Sequence, residues 1–297
     1  MYPNAFEYSA PATFPEAVAR LAELGGEAKV LAGGCSLIPL MKLRLAEPAH
    51  LVDVGRVPDA AYAREVDGEL RIGALTREAD VERSPLIATR WPILADASSV
   101  IADPLVRNMG TLGGNLAHGD PANDHPAVML ALRATIVALG PAGERTIPAD
   151  EFFVGLFETA LEPGEILTEI RIPGPPSGSG GAYVKFERQV GDFAIAAAAA
   201  AVRLEDGRVA EASIALTNAG PTVIRASAAE AALTGRAPDD GTIRDAAVAA
   251  RDEAEPWPDV RGSAEMKKRL AGVAVERALR LAIRRAAEER PSGEGRP

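Results

Sequence analysis

The sequence predicts an α+β chain in two domains, and three observations carry that reading. Short strand and helix patterns alternate over roughly the first 175 residues, a stretch of Pro, Gly and Ser interrupts them at 173–181, and strands followed by helices resume beyond it. The chain has 297 residues, 47% hydrophobic and 25% charged, the make-up of a globular protein with material for two cores.

The first helix opens at Thr13-Phe14-Pro15-Glu16, which has the spacing of a capping box, and ends at Gly25-Gly26. Residues 29–32 read as a short buried strand. A helical pattern follows over 36–45, Pro48 stops it, and 50–54 reads as an apolar strand, so the opening 55 residues form a βαβ-like unit. Segments 62–66 and 69–72 flank Asp67-Gly68, which suits a type I′ turn because both central residues need positive φ. Thr76 is expected to start a helix, and another spans 92–101. A further one runs from Asp124-His125-Pro126 to Arg133, with Asp124 as its cap and the proline in its first turn. Strands near 135–139 and 166–172 close this part.

The Pro, Gly and Ser of 173–181 cannot sustain a helix or a strand ladder and mark the expected domain boundary. This gives a first domain over 1–175, in subdomains of about 1–55 and 56–175, a second over 176–290, and a frayed tail over 291–297. In the second domain, 183–188, 195–204 and 209–217 read as strands. Alanine dominates 195–204 and by propensity favours a helix, but the Asp206-Gly207 turn signal that follows argues for a strand. Helices follow from 225, and the last, from Ser263, places Met266, Leu270 and Val273 on one buried face.

A formal net charge of −10 argues against a nucleic-acid partner. The basic residues of 266–269 and 284–285 are interspersed with Glu and read as a solvated helix face. Cys35 is the single cysteine, so this chain alone forms no disulfide and no multi-cysteine zinc or iron-sulfur site, and its expected compartment is the cytoplasm. The start Met1-Tyr2-Pro3-Asn4 carries no signal-peptide pattern. The longest apolar run, 193–202, is half the ~20 residues of a membrane helix, so no membrane span is expected.

Chemistry concentrates at two glycine-rich segments, Ala32-Gly33-Gly34-Cys35-Ser36 and Thr111-Leu112-Gly113-Gly114-Asn115. Several backbone N–H groups turned toward one point bind a dinucleotide's pyrophosphate without lysine, and the close approach this needs favours glycine. Ser36 and Asn115 offer side-chain hydrogen bonds beside them. Taken singly, each pair also fits an ordinary turn. Neither G-x-x-x-x-G-K-[ST] nor G-x-G-x-x-G between strand and helix occurs, which argues against P-loop and Rossmann sites. Ser36 lies outside any G-x-S-x-G, and His118, Asp120, Asp124 and His125 make a poor metal set in a proline-punctuated loop.

Four ordered motifs resemble one family. Residues 31–45 with Leu51-Val52-Asp53-Val54, then 107–124, 185–193 and 259–265, are similar to the FAD-binding medium subunit of molybdenum hydroxylases of the carbon monoxide and xanthine dehydrogenase type. That resemblance implies a vanillyl-alcohol-oxidase (PCMH) type FAD domain of two subdomains and a smaller α+β C-terminal domain. It implies FAD on this chain, [2Fe-2S] clusters on a small partner subunit and molybdopterin on a large one, assembled as a dimer of heterotrimers.

By position, it places Leu31, Ala32, Gly33, Gly34, Cys35, Ser36, Leu37, Thr111, Gly113, Gly114 and Asn115 around the pyrophosphate and adjoining parts of FAD, with Asp124 in the same region. Leu167 and Lys185 fall at the flavin end, Ile101 toward the adenine or ribose, and Phe193 beside the isoalloxazine or, as plain core, beside none of it. No residue of the chain is expected to be catalytic, because the cofactor carries the chemistry. Electrons would pass from the partner's clusters through FAD to an external acceptor. A flavoprotein acting alone on a small organic substrate is the alternative.

One position departs from the family. Relatives carry a longer polar residue where Cys35 stands, which puts that side-chain contact in doubt, and the thiol reads as buried and inert.

Overall fold

A computed structural model describes residues 2–288, which form two compact units that are not contiguous in sequence. The first holds the chain up to Ser84, Ala102–Asp120 and Arg133–Pro173; the second holds Pro85–Ile101, Pro121–Leu132 and the chain from Gly174. The chain passes from one to the other for the last time within the Pro/Gly/Ser stretch. Two earlier excursions, however, pack with the C-terminal sequence. The expected tail at 291–297 lies outside the described residues.

In the first unit, Thr13 caps helix Phe14–Leu24 by accepting the Glu16 N–H, and Gly25 ends it at φ 62°. Strand His50–Asp53 lies between Ala28–Leu31 and Glu7–Ser9, parallel to both. Strand Ala28–Leu31 is only partly buried, contrary to the expectation of a buried strand, because it lies at a sheet edge. Ala17, Val18 and Leu21 of the helix pack with Val52, Val54 and Leu75. A second, antiparallel sheet runs in the order Ala63–Val66, Glu69–Gly73, Ile166–Ile172, Thr135–Gly140, Gly143–Pro148. Asp67 and Gly68 take φ 53° and 79°, the two positive values the turn requires. Thr76 does not start a helix. Its hydroxyl is spent on the Tyr62 backbone, donating to the carbonyl at 2.8 Å and accepting the N–H at 2.9 Å, and the helix begins at Glu78–Arg83.

In the second unit, strands Ser179–Phe186, Ala196–Glu205, Arg208–Thr217 and Ile224–Arg225 form one antiparallel sheet. The alanine run is its strand Ala196–Glu205, and tertiary packing overrides the helical propensity. Ala196–Ala200 are all 0% exposed, so both faces of the strand are covered. Small side chains let helix Ala264–Glu288 approach closely, and a Cβ on Gly180 would overlap the Ala282 carbonyl.

That helix buries Ala271, Ala274, Val275 and Ala278, while Met266 and Val273 are 43% and 40% exposed. Its buried stripe is therefore not the expected one, because alanine permits the closer packing. Lys267, expected on the solvated face, is 2% exposed and paired with Asp259 at 2.9 Å.

Candidate functional site

After strand Ala28–Leu31 the chain turns through Gly33 and Gly34 into the short helix Leu37–Lys42. Gly34 sits at φ 75°, and a Cβ on Gly33 would overlap the Met109 carbonyl, so the turn depends on both glycines. Ser36, ahead of the helix, makes no side-chain cap bond. Among the described residues, no hydrogen bond engages the backbone N–H of Gly33, Gly34, Cys35, Ser36 or Leu37. Five consecutive free donors in a turn with alternating backbone hand are the chemistry of an anion cradle. That donor set fits a pyrophosphate.

The second glycine pair differs from the expected loop. It forms the first turn of helix Leu112–His118, and Thr111 is its cap, accepting the Gly114 N–H at 3.1 Å. The Leu112 N–H donates to Thr76 O at 3.0 Å, Gly113 to Ala74 O at 2.9 Å and Asn115 to Thr111 O at 2.9 Å. These donors are thus committed within the protein. Gly113 is glycine for packing, since a Cβ would stand 2.7 Å from the Ala74 carbonyl oxygen. Gly114 is exposed, and a Cβ there would come within 3.9 Å of the Ala32 methyl, so the helix start stands beside the first loop. Backbone contact between Gly33 and Met109 joins the two segments from the other side.

Cys35 is exposed, not buried. Its sulfur lies 3.8 Å from the carbonyls of Gly33 and Val106, and desolvation pushes the thiol up from its usual range despite the opposing Arg77 charge. Leu167, expected at the flavin end, sits in the sheet, in strand Ile166–Ile172, and is 5% exposed.

The second unit holds Ile101, Asp124, Lys185 and Phe193. Asp124 precedes helix His125–Ala131 but makes no cap bond. Its buried carboxylate instead accepts from Tyr183 Oη at 2.6 Å and from Lys185 Nζ at 2.9 Å. Burial pushes the Asp124 carboxyl up, against the Lys185 charge and the two hydrogen bonds, and together with the Asp124 charge it pushes the Tyr183 phenol far up as well. Lys185 Nζ also donates to Val100 O at 3.0 Å, beside the 9% exposed Ile101, and Tyr183 Oη lies 3.3 Å from Thr217 Oγ1.

The sequence reading singles out Asp124 and Lys185 as separate FAD contacts; the structure pairs them with each other and with Tyr183, which that reading did not single out. The signal was available, since residues two apart in a strand share a face. Phe193 is 44% exposed, with the Arg261 guanidinium 5.3 Å from its ring centroid.

Among the described residues, no three His, Cys, Asp or Glu side chains group as a metal site, and no helix is long and apolar enough to cross a membrane.

Residues 4–175 match the family model described as the FAD binding domain in molybdopterin dehydrogenase, and residues 181–282 match that of the CO dehydrogenase flavoprotein C-terminal domain. The chain is similar to the carbon monoxide dehydrogenase medium chain of Hydrogenophaga pseudoflava, 47% identical over 97% of this chain and 100% of that one. It is 44% identical to the medium chain from Afipia carboxidovorans, over 96% of this chain and 99% of that one. A solved carbon monoxide dehydrogenase from H. pseudoflava, lacking the Mo-pyranopterin moiety of its molybdenum cofactor, superposes with a TM-score of 0.94 at 50% identity, covering 96% of this chain and 99% of that chain.

Proposed function

The chain belongs to the family of FAD-binding flavoprotein subunits of molybdopterin dehydrogenases, and from that premise we propose that it is the medium subunit of a carbon monoxide dehydrogenase-like complex. It is an oxidoreductase subunit, and FAD is its cofactor. The observation that carries the reading is the run of five unengaged backbone N–H groups from Gly33 to Leu37. Neutral donors fixed in a turn hold a pyrophosphate without a lysine.

Held at residues 31–37, FAD would supply electron-carrying chemistry between the [2Fe-2S] clusters of a small partner subunit and an external acceptor. The protein's own part is to bind and orient. Residues 31–37 hold the phosphates, and Thr111, Gly113 and Gly114 keep the neighbouring helix start close to the loop, with Asn115 and Leu167 as further FAD contacts. Lys185 pairs with Asp124 at 2.9 Å and with Glu187 at 3.6 Å and donates to Val100 O, so the group acts as a fixed polar wall beside Ile101. For Ile101, Asp124, Leu167, Lys185 and Phe193 the assignment to FAD rests on the resemblance to the family.

The complete assembly is a cytoplasmic dimer of heterotrimers, with the small iron-sulfur subunit and a large molybdopterin subunit that binds the substrate. The similarity to the two medium chains supports carbon monoxide as that substrate.

The test is the visible spectrum of the purified chain, followed by identification of the chromophore released on denaturation. Flavin bands and released FAD are expected, and co-expression with the two partners should bring down iron and molybdenum and give reduction of a dye by carbon monoxide. A colourless chain that takes up no FAD refutes the cofactor. A yellow chain that never retains iron or molybdenum and turns over a substrate alone refutes the complex.

A further inference from the structure

We propose that Arg261 is a positioning residue for the flavin, holding the Phe193 ring and the Asp192 carboxylate in place. The proposal rests on the assignment of Phe193 to FAD made above and names what sets that ring's position.

The backbone around Phe193 is fixed on both sides while its ring stays 44% exposed. Asp192 Oδ1 accepts the Phe193 N–H at 2.8 Å, and Asn218 Nδ2 donates to the carbonyls of Ala194 and Ile195 at 2.8 and 3.2 Å. Arg261 completes the hold. Its Nη2 donates to Asp192 Oδ1 at 3.3 Å, and its guanidinium carbon lies 5.3 Å from the Phe193 centroid, within reach of a cation–π contact. Arg261 Nε is buried and makes no hydrogen bond among the described residues. A buried donor left unsatisfied is costly, so hydrogen bonding alone does not explain this placement; contact with the ring does.

Arg261 is itself presented by a tight turn. Asp259 and Gly262 exchange backbone hydrogen bonds at 3.1 and 3.2 Å, and the Arg261 N–H donates to Asp259 Oδ1 at 2.8 Å. Asp259 Oδ2 accepts from the buried Lys267 at 2.9 Å, and Lys267 Nζ reaches Asn218 Oδ1 at 3.4 Å. The contacts therefore close on themselves: Phe193 to Arg261, to Asp259, to Lys267, to Asn218, and back to the carbonyls next to Phe193. A closed circuit around one exposed ring is an arrangement for holding that ring, and it places a permanent positive charge over it.

The test uses the FAD-loaded full chain and reads the flavin's visible absorbance and circular dichroism, the FAD dissociation constant and the flavin midpoint potential. Arg261→Met is expected to weaken FAD binding about three- to tenfold, the worth of one cation–π contact. It should also lower the midpoint potential, because the reduced, more negative flavin loses a nearby cation. Arg261→Lys keeps the charge and is expected to restore most of the potential. Phe193→Leu should change the flavin spectrum, and adding Arg261→Met to it should weaken binding no further.

If Phe193→Leu leaves spectrum and affinity unchanged, the assignment of Phe193 is wrong and the inference falls with it. If Phe193→Leu perturbs the flavin but Arg261→Met leaves spectrum, affinity and potential as in the parent, the assignment stands and the role of Arg261 is overturned. Should Arg261→Met fail to fold, Asp192→Asn takes the charge out of one hold on the guanidinium; about twofold weaker FAD binding is expected there, and an unchanged affinity and spectrum overturn the proposal.

Discussion

Lys185→Met removes the cation from a carboxylate that is 4% exposed and accepts from Lys185 at 2.9 Å. At an effective dielectric near 20 the lost attraction is about 6 kcal/mol, and removing one partner of a buried pair destabilises by about 3–5 kcal/mol. Asp124 has one escape, which is to take up a proton. That route costs about 1.4 kcal/mol for each pH unit above an unfolded carboxyl pKa of about 3.9, hence about 3 kcal/mol at pH 6 and more than 5 at pH 8. The penalty should therefore be held to about 3 kcal/mol at pH 6 and climb to about 5 kcal/mol at pH 8.

The sign follows from linkage. A carboxyl raised in the folded state contributes stability that is full below its unfolded pKa and is lost as pH rises through its folded one. Urea unfolding of the FAD-free chain measures this, since ligand linkage is then absent. Both tryptophans, Trp91 and Trp257, lie in the unit that holds Asp124, so fluorescence reports the right transition. The double variant Lys185→Met/Asp124→Asn removes the stranded Asp124 charge, leaving only the more exposed Glu187, 3.6 Å from Lys185 Nζ in the parent, without its cation, and should regain at least half of the loss. A penalty independent of pH, or a double variant as unstable as the single, would refute the reasoning.

Three further outcomes follow from the glycine segments. Gly33→Ala drives a Cβ into the Met109 carbonyl, and the shift it forces should cost about 1–3 kcal/mol and strip the chain of most of its flavin on gel filtration; full flavin retention would count against the cradle. Thr111→Ala removes the cap of helix Leu112–His118 and should lower stability by about 1 kcal/mol in thermal unfolding, while Thr111→Ser should leave it nearly intact. The Cys35 thiol, held up by desolvation, should react with iodoacetamide more slowly at neutral pH than a free cysteine, and a faster reaction would mean that the Arg77 charge outweighs the loss of solvent.

What could be read from the sequence was what is decided locally. The Thr13 cap, the Asp67-Gly68 turn and the strand at 166–172 each depend on neighbours within a few residues, and each stands where the pattern puts it. The two glycine pairs could not be told apart, because the difference is made elsewhere. At Gly113 the carbonyl that takes up the N–H belongs to Ala74, and at Leu112 it belongs to Thr76. Among the described residues, no remote carbonyl takes up a backbone N–H of the loop from Gly33 to Leu37, and these donors stay free. Asp124 failed as a cap for the same reason. Its partners are 59 and 61 residues away, and a charged hydrogen bond to a buried lysine outweighs an N-cap worth about 1 kcal/mol. The alanine strand carried one more message. Five consecutive side chains of 0% exposure need cover on both faces, and the C-terminal helices supply it on one only, so the excursions 85–101 and 121–132 pack with this unit. Whether a glycine-rich segment binds an anion therefore turns on which backbone donors tertiary structure leaves unspent, and counting glycines does not answer it.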